Sequence, residues 1–387
     1  MRVIPYARQD ISPEDVDAVV AVLRSDWLTQ GPAVERFEHD VAQWVGAAHA
    51  VAVSSGTAGL HLACCALDVG PGDSVWTSAN TFVASANCAL YCGAKVDFVD
   101  IDSRTYNLSV EALAHKLESA ARTRRLPKVV IPVHFAGQPC DMAAIATLAA
   151  RYGFRVVEDA THAVGAHYAE GPVGSCGYSD ITVFSFHPVK IITTGEGGMV
   201  LCRNPELAAR VRLLRTHGIT RQTEDMSGEP EGAWYYEQVA LGFNYRMSDI
   251  QAALGASQLT RLEEFIRRRA ALAGAYRGLL GDLALVLPWQ DPRVRSAWHL
   301  YPVKIDSART ASTRKDVFRR LRDAGIRVNV HYIPVHLHPY FRRLGFRPGD
   351  FPHAEEYYRQ AITLPLYYGL RDEDQQCVAA ALREAMS

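Results

Sequence analysis

The sequence predicts an α/β fold: a large domain with a mostly parallel central sheet flanked by helices, followed by a smaller α+β C-terminal domain. Between residues 50 and 158, short apolar segments alternate with helix-like segments at the spacing of βαβ units. The chain has 387 residues, which is too long for one ordinary hydrophobic core. Its composition, 48% apolar and 21% charged, is typical of a globular protein with a large core.

The first elements are helices with clear start signals. Ser12, followed by Pro13 and two acidic residues, caps a helix that extends to Leu23, and Gly31-Pro32 prevents its continuation. A second helix is expected over about 33–45. The alternating part then predicts strands at 50–53, 74–77, 95–99, 129–133 and 155–158 and helices at 57–67, 83–92, 109–120 and 141–152.

The second half of the chain contains longer helices and one irregular segment. The elements expected there are strands at 181–186 and 199–202, helices at 205–215 and from Ser248 to about 280, short elements at 299–305, 313–324 and 327–332, and a last helix from Asp372. Residues 218–243 are irregular, and a segment of that length is usually functional or mobile. The long helix is expected to link a large domain, 1–247, to a small domain, 248–387.

Charge and cysteine usage exclude several classes of function. The formal net charge is −1 with both signs interspersed, so nucleic-acid binding through a basic face is not expected. The absence of an N-terminal signal segment and of any run of about 18 apolar residues predicts a cytoplasmic protein without membrane attachment. The eight cysteines are expected to be reduced core residues, because only Cys88 and Cys92 approach metal-ligand spacing. Prolines separate the histidines near residue 335, so no metal site is expected there either.

Three groups of polar residues follow predicted strands, at the edge where the carboxyl ends of a parallel sheet meet. Ser55-Gly56-Thr57 opens a helix directly after a strand, so N–H groups and hydroxyls would point at one spot, as a phosphate group requires. Asp159 ends an apolar strand, where a carboxylate needs a cation or a hydrogen-bond donor. Lys190 lies between an apolar strand and a glycine-rich turn, a setting that favours a neutral, nucleophilic amine.

Each of these features has an ordinary structural alternative. Taken alone, Ser55 is equally a helix cap, Asp159 a cap of the next segment, and Lys190 a strand-end lysine that reaches solvent. In this chain order, however, a phosphate cradle, an acidic strand end and a strand-end lysine are the groups that an enzyme dependent on pyridoxal 5'-phosphate (PLP) requires. They would bind the phosphate, the pyridine nitrogen and the aldehyde carbon of that cofactor.

Six motifs resemble those of the sugar aminotransferases of the DegT/DnrJ/EryC1/StrS family. They are Leu28-Thr29-Gln30-Gly31-Pro32, Ser55-Gly56-Thr57-Ala58, Asn80-Thr81-Phe82-Val83-Ala84, Glu158-Asp159-Ala160-Thr161-His162-Ala163, Phe184 to Lys190 with Gly195-Glu196-Gly197-Gly198, and Asn244-Tyr245-Arg246-Met247-Ser248-Asp249. The similarity spans nearly the whole chain. It implies a PLP-dependent transferase of fold type I that works as a homodimer with active sites at the subunit interface.

The resemblance assigns roles to individual residues. Lys190 matches the catalytic lysine that binds the cofactor covalently. The other matched cofactor-binding positions are Gly56, Thr57 and Ser185 at the phosphate, Asp159 at the pyridine nitrogen, Phe82 against the ring face, His162 beside the ring hydroxyl, and Asn244 from the neighbouring subunit. Phe82 and His162 have alternatives, a core aromatic and a satisfied helix-start histidine, but the family context favours the functional roles.

Within the family, the chain looks most like the UDP-4-amino-4,6-dideoxy-N-acetyl-β-L-altrosamine transaminases of pseudaminic acid biosynthesis. The segments that carry this resemblance are Ile4-Pro5-Tyr6, Phe186 to Lys190 and Val330 to His336. It implies amination at C4 of a UDP-linked 4-keto-6-deoxy-N-acetyl hexose, with L-glutamate as the amino donor. The residues expected on the sugar side are Tyr6, Thr29, Gln30, Ser55, His187, His331, Tyr332, Ile333 and Pro334.

Three alternative functions remain open at this point. Other sugar aminotransferases differ in the sugar and in the aminated carbon, C3 or C4. A pyridoxamine-dependent sugar dehydratase shares the fold but replaces the lysine with histidine, so Lys190 argues against it. A non-catalytic sensor or regulator is disfavoured because the lysine, the aspartate and the phosphate anchor are all retained.

Overall fold

The structure, a computed structural model, describes residues 3–387. Seven strands form the central sheet: β1 (His49–Val53), β2 (Ser74–Ser78), β3 (Lys95–Val99), β4 (Val129–Ile131), β5 (Arg155–Asp159), β6 (Ile181–Ser185) and β7 (Gly198–Cys202). They lie in the order β1-β7-β6-β5-β4-β2-β3. Only β7 is antiparallel to its neighbours, and the other six strands run parallel, which confirms the predicted α/β fold.

Helices cover both faces of the central sheet. They are α2 (Pro32–Val45), α3 (Gly56–Ala66), α4 (Ala84–Tyr91), α5 (Val110–Arg122), α6 (Met142–Tyr152), α7 (Pro205–Arg215) and α8 (Asp249–Leu259), and α1 (Pro13–Leu23) packs on the outside of α8. One core lies beneath α3, α4 and α7, and a second beneath α2, α5, α6 and α8. In β6, Val183 packs in the first core and Phe184 in the second. Burial on both faces explains the apolar Ile181, Val183 and Phe184 of this strand, in which Thr182 and Ser185 are the polar exceptions.

The C-terminal part of the chain builds a second, antiparallel sheet. Its elements are α9 (Leu262–Leu280), β10 (Leu285–Val286), β11 (Tyr301–Ile305), α10 (Arg314–Asp323), α11 (Pro339–Arg343), α12 (Pro352–Gln360), β12 (Ala361–Leu364) and α13 (Asp372–Met386). The strand order is β10-β11-β12. A third core joins this sheet to α9, α10, α13 and the N-terminal Ile4.

The predicted domain boundary between residues 247 and 248 stays a prediction. Among residues 3–387, no helix is both long and apolar enough to span a bilayer.

The single long helix expected from Ser248 to about 280 is wrong, because α8 and α9 are separate helices. Arg261, between them, has φ −102° and ψ 3°, outside α-helical geometry. Its guanidinium group binds the carboxylates of Asp10 and Asp15 at 2.9 and 2.5 Å. These long-range ion pairs favour the break, and they cannot be predicted from the local apolar pattern.

Two other segments also differ from the expected elements. Residues 327–332 do not form a strand: Asn329 pairs with Thr363 of β12 by one bridge only. The backbone then turns toward the central sheet, where the N–H of Tyr332 donates to Asn80 Oδ1 at 3.1 Å. The irregular segment 218–243 contains a short antiparallel pair, β8 (Ile219–Thr220) and β9 (Glu237–Gln238).

The sheet topology places the predicted polar groups at one edge. Because β1 and β6 are both antiparallel to β7, they run in the same direction as each other and as β5. The carboxyl ends of β1, β5 and β6 therefore share an edge. Ser55, Asp159 and Ser185, which follow or end these strands, lie along it.

Candidate active site

A cavity of about 760 Å³ opens at the carboxyl edge of the central sheet. This volume suits a small-molecule ligand. The ends of β5 and β6, the start of α3 and the segment 329–333 from the C-terminal part line it. The predicted site residues that line the cavity are Tyr6, Ser55, Gly56, Thr57, Phe82, Asp159, Ser185, His187, Lys190, His331, Tyr332 and Ile333.

The start of α3 forms a cradle for an anion. The Ser55 hydroxyl caps the helix by accepting a hydrogen bond from the N–H of Ala58 at 3.1 Å. The first turn of α3 contains no acidic residue. A Cβ at Gly56 would lie 2.9 Å from the Cβ of Ser185, so only glycine allows this close approach. Helix N–H groups and the hydroxyls of Thr57 and Ser185 therefore surround a space in which a phosphate group fits.

Asp159 presents a buried carboxylate to the cavity. Its side chain is held at both oxygens: Ser85 Oγ donates to Oδ2 at 2.6 Å, and the N–H of Thr161 donates to Oδ1 at 3.1 Å. The residue is only 3% exposed. Both donors are neutral, so they orient the negative charge without neutralising it. A protonated ring nitrogen of a ligand would be a favourable partner.

Lys190 lies in the turn that follows β6. Its N–H donates to the carbonyl of His187 at 2.8 Å, and the N–H of Phe186 donates to the carbonyl of Gly197 at 2.9 Å, which closes the turn onto the start of β7. Burial lowers the pKa of Lys190 to about 8, although the charge of Asp159 opposes this shift. A larger neutral fraction than for an ordinary lysine makes this amine nucleophilic.

The ring of Tyr332 forms part of the cavity wall, and the ring of His162 stacks behind it. Tyr332 lines the cavity, and its hydroxyl lies 3.1 Å from Nε2 of His162. The N–H of Ala136 donates to Nδ1 of His162 at 3.3 Å, so the ring proton is on Nε2 and the hydrogen bond runs to the tyrosine oxygen. Burial holds the pKa of His162 well below its usual value, so the ring is neutral. His162 is not among the residues that line the cavity, and its contact with a cofactor hydroxyl stays a prediction.

Phe82 is exposed at the cavity wall. Its side chain is 56% exposed, with its ring centroid 6.2 Å from that of Tyr332. The alternative of an ordinary core aromatic is therefore wrong. An aromatic ring exposed in this way can stack on a planar ligand.

In addition to His162, four predicted residues do not line this cavity within a single chain. Thr29, Gln30 and Asn244 are exposed, and Pro334 is buried outside the cavity lining. Thr29 forms a bridge with Ser248, so the segments around residues 30 and 246 adjoin. The predicted roles of these four residues stay predictions.

Several residues of the site were not predicted from the sequence. Ser85 orients Asp159, His299 lines the cavity with its ring centroid 4.4 Å from that of His162, and Asn329 lines the cavity beside His331. The contacts of Ser85 with Asp159 and of His299 with His162 join elements that are far apart in the chain. No local pattern in the sequence signals them.

The chain was compared with known proteins. Residues 9–383 match the DegT/DnrJ/EryC1/StrS aminotransferase family. This chain belongs to that family. A relative of this aminotransferase is the spore coat polysaccharide biosynthesis protein SpsC of Bacillus subtilis, which is 42% identical over 384 residues, covering 98% of this chain and 96% of SpsC.

Solved structures agree closely with the fold of this aminotransferase. Spr1654 of Streptococcus pneumoniae, assigned as a sugar aminotransferase and solved in its pyridoxamine phosphate (PMP) form, has a TM-score of 0.90 at 30% identity, with 99% of each chain covered. PseC of Helicobacter pylori, an aminotransferase involved in the biosynthesis of pseudaminic acid, has a TM-score of 0.90 at 28% identity, covering 100% of this chain and 99% of PseC. The aminotransferase is therefore a PLP-dependent enzyme that acts on sugars, as predicted.

We expect the pKa of Lys190 to govern how fast the aminotransferase takes up PLP. The neutral amine is the reactive form, so the rate of PLP attachment to cofactor-free protein should rise about tenfold per pH unit up to about pH 8 and then level off. Rapid-mixing absorbance of the lysine-bound cofactor measures this rate. Lys304→Ala removes another lysine whose pKa is lowered by burial, and it should leave the profile unchanged. A rate that still rises beyond about pH 10 would contradict the desolvation of Lys190.

Proposed function

We propose that PLP binds in the cavity at the carboxyl edge of the sheet, held by the residues predicted from the sequence. Gly56, Thr57 and Ser185 would surround its phosphate, Asp159 would face its ring nitrogen, and Lys190 would bind it covalently. The close approach of Gly56 to Ser185, which a Cβ at Gly56 would prevent, supports the first role. The oriented carboxylate and the amine with a lowered pKa support the other two. The exposed Phe82 ring is available to stack on the cofactor, and Tyr332 links His162 to the same wall.

PLP, when bound, supplies an electron sink that stabilises negative charge on the carbon that loses a proton. Asp159 would keep the ring nitrogen protonated, which maintains that sink. Lys190, once the amino donor has displaced it, would take the proton from the donor carbon and return it to the cofactor side. With the keto sugar, the same amine would move the proton in the opposite direction.

We further propose that the acceptor is a UDP-linked 4-keto-6-deoxy-N-acetyl hexose, aminated at C4 with L-glutamate as donor, in pseudaminic acid biosynthesis. The observation that supports this is a wall formed by Tyr6 and the segment 331–333 in the same cavity as Lys190. The rings of Tyr6 and His331 are in contact, with centroids 5.6 Å apart. These are the segments that resemble the pseudaminic acid enzymes, and the similarity to PseC supports the same substrate class.

A second candidate is amination of another nucleotide-linked keto sugar. The similarity to SpsC favours it, because the name of SpsC places that protein in spore coat polysaccharide biosynthesis. The two candidates share the cofactor site and the role of Lys190. They differ in the nucleotide, in the sugar and in the aminated carbon.

A substrate panel separates the two candidates. The purified enzyme is incubated with L-glutamate and with UDP- and dTDP-linked 3-keto and 4-keto sugars, and mass spectrometry and NMR locate the new amino group. We expect C4 amination of the UDP-linked N-acetyl sugar together with formation of 2-oxoglutarate. Turnover confined to dTDP-linked sugars, or a C3 product, would favour the second candidate. Lys190→Ala serves as the blank.

We propose a cytoplasmic location for the enzyme. All eight cysteines are unpaired, as is typical of the reducing cytosol. In an oxidising compartment, Cys65 and Cys92, whose sulfur atoms lie 3.7 Å apart, would be prone to oxidation.

We also propose that the enzyme is a homodimer whose subunits share active sites. Asn244 and its neighbouring segment around Gln30 are exposed and do not line the cavity of their own chain. Large apolar side chains next to both segments are exposed as well: Trp27 at 55%, Leu28 at 49% and Leu241 at 83%. Exposed apolar surface of this kind marks protein interaction sites.

Mixing two inactive variants tests the shared site. Lys190→Ala and Asn244→Ala subunits, dissociated and reassociated together, should recover about a quarter of the wild-type activity, because half of the dimers are mixed and each mixed dimer has one intact site. Lys190→Ala mixed with Asp159→Asn is the matched control, since both changes affect residues of the same chain's cavity, and no site is restored. A monomer in sedimentation analysis, or no recovery in the first mixture, would exclude a shared site.

A further inference from the structure

Three side chains that bind metals well meet at the C-terminal ends of α3 and α4. His61 and Cys65 are four residues apart and therefore share a face of α3, and Cys92 directly follows α4. One ligand atom of each lies within 4.8 Å of the others. None of the three lines the PLP cavity. We call these residues the thiol–imidazole cluster.

The sulfur separation in the cluster fits a tetrahedral metal. The Sγ atoms of Cys65 and Cys92 are 3.7 Å apart. A tetrahedral zinc ion with Zn–S bonds of about 2.3 Å places two sulfur ligands about 3.8 Å from each other. A disulfide would require about 2.05 Å. The distance between the two sulfur atoms is therefore that expected for two ligands of one metal ion, and it is too long for a disulfide bond.

The surroundings of the cluster also suit a metal. Nδ1 of His61 lies 3.2 Å from the hydroxyl of Tyr245, which leaves Nε2 for a metal. Histidine ligands usually have such a partner at the outer nitrogen, because it fixes the orientation of the ring.

We propose that the thiol–imidazole cluster binds one zinc ion through His61, Cys65 and Cys92, with a water molecule as the fourth ligand. Sulfur and imidazole donors select zinc over harder cations such as Mg²⁺ or Ca²⁺. The ion would fasten the end of α3 to the end of α4. Tyr245 would connect this clamp to Asn244, which the dimer proposal places at the neighbouring subunit. The role is structural, and zinc takes part in no step of amino transfer.

Metal titration of the PLP-loaded enzyme tests the site. After removal of metals with a chelator, the enzyme should bind one equivalent of Zn²⁺ per chain, and its Tm should rise because zinc binds the folded chain. Co²⁺ in the same site should give the absorbance of sulfur-to-cobalt charge transfer. Cys65→Ser and Cys92→Ser should each weaken zinc binding by at least about 100-fold, because even loss of an outer partner costs up to about that factor. Cys377→Ser removes an exposed cysteine outside the cluster and should change none of these results.

Three outcomes would overturn the proposal. They are wild-type protein that binds no stoichiometric zinc, unchanged sulfur-to-cobalt absorbance in Cys92→Ser, and a Cys65–Cys92 disulfide in freshly purified protein, detected as a mass loss of two hydrogens. The absorbance of lysine-bound PLP, recorded on the same samples, reports whether each variant is folded. A variant that keeps this absorbance and loses zinc has lost a ligand rather than its fold. Lys190→Ala should bind zinc like the wild type, so the zinc site and the PLP site are tested separately.

Discussion

Lys190→Ala is expected to abolish both the visible absorbance of lysine-bound PLP and the turnover of L-glutamate with a keto sugar. Lys190 is the only lysine among residues 3–387 that lines the cavity, and burial lowers its pKa to about 8. Loss of a general acid–base group alone costs about 10²- to 10⁴-fold. Because the covalent attachment is lost as well, kcat should fall by at least about 10⁴-fold.

Lys190→Ala should remove the covalent bond to PLP without removing the groups that bind its phosphate. The anion cradle at the start of α3 is unchanged in Lys190→Ala, so the variant should still bind PLP without the covalent bond, which fluorescence titration measures. Lys304→Ala, in β11, should keep both the absorbance and the wild-type kcat. If Lys190→Ala retained the absorbance and the turnover, Lys190 would not be the covalent anchor.

Asp159→Asn is expected to produce the second largest effect, a fall in kcat of about 10²- to 10³-fold, the usual cost of removing one oriented group that stabilises developing charge. The amide preserves the shape of the side chain but removes the negative charge that would keep the ring nitrogen protonated. Lys190 is unchanged, so the variant should still show the absorbance of lysine-bound PLP. Steady-state kinetics and absorbance on the same preparation separate loss of chemistry from loss of cofactor.

Asp180→Asn is the matched control for this change. Asp180 lies beside the opposite end of β5, where its carboxylate accepts a hydrogen bond from the N–H of Val156 at 2.8 Å and pairs with Arg155 at 2.8 Å. It is outside the cavity, so its replacement should leave kcat unchanged. A wild-type kcat in Asp159→Asn would mean that the cofactor nitrogen does not depend on this carboxylate.

Much of the fold could be predicted because burial imposes local patterns. The strand β6 is rich in apolar residues because both of its faces are buried. Helix α1 begins after Ser12 because that side chain caps the helix, accepting a hydrogen bond from the N–H of Asp15 at 3.3 Å. The break between α8 and α9 could not be predicted in this way. It depends on ion pairs of Arg261 with Asp10 and Asp15, more than 240 residues away.

The site residues that could be predicted are also marked by local patterns in the sequence. Ser55, Asp159 and Lys190 each follow or end a strand within a short motif, so the sequence indicates both their position and their chemistry. Ser85 has no such motif, and its importance is visible only from its 2.6 Å hydrogen bond to Asp159.

The sequence by itself therefore determined the fold class, the family and the cofactor, and it predicted the residues that would anchor that cofactor, because hydrophobic periodicity and contiguous motifs encode them locally. Only the tertiary structure decided that Phe82 is exposed to the cavity, that His162 lies behind Tyr332, and that His61, Cys65 and Cys92 meet. The physical reason is that such contacts depend on how separate elements pack. Cys65 and Cys92 are 27 positions apart in the sequence, and nothing in that spacing indicates that their sulfur atoms lie 3.7 Å apart.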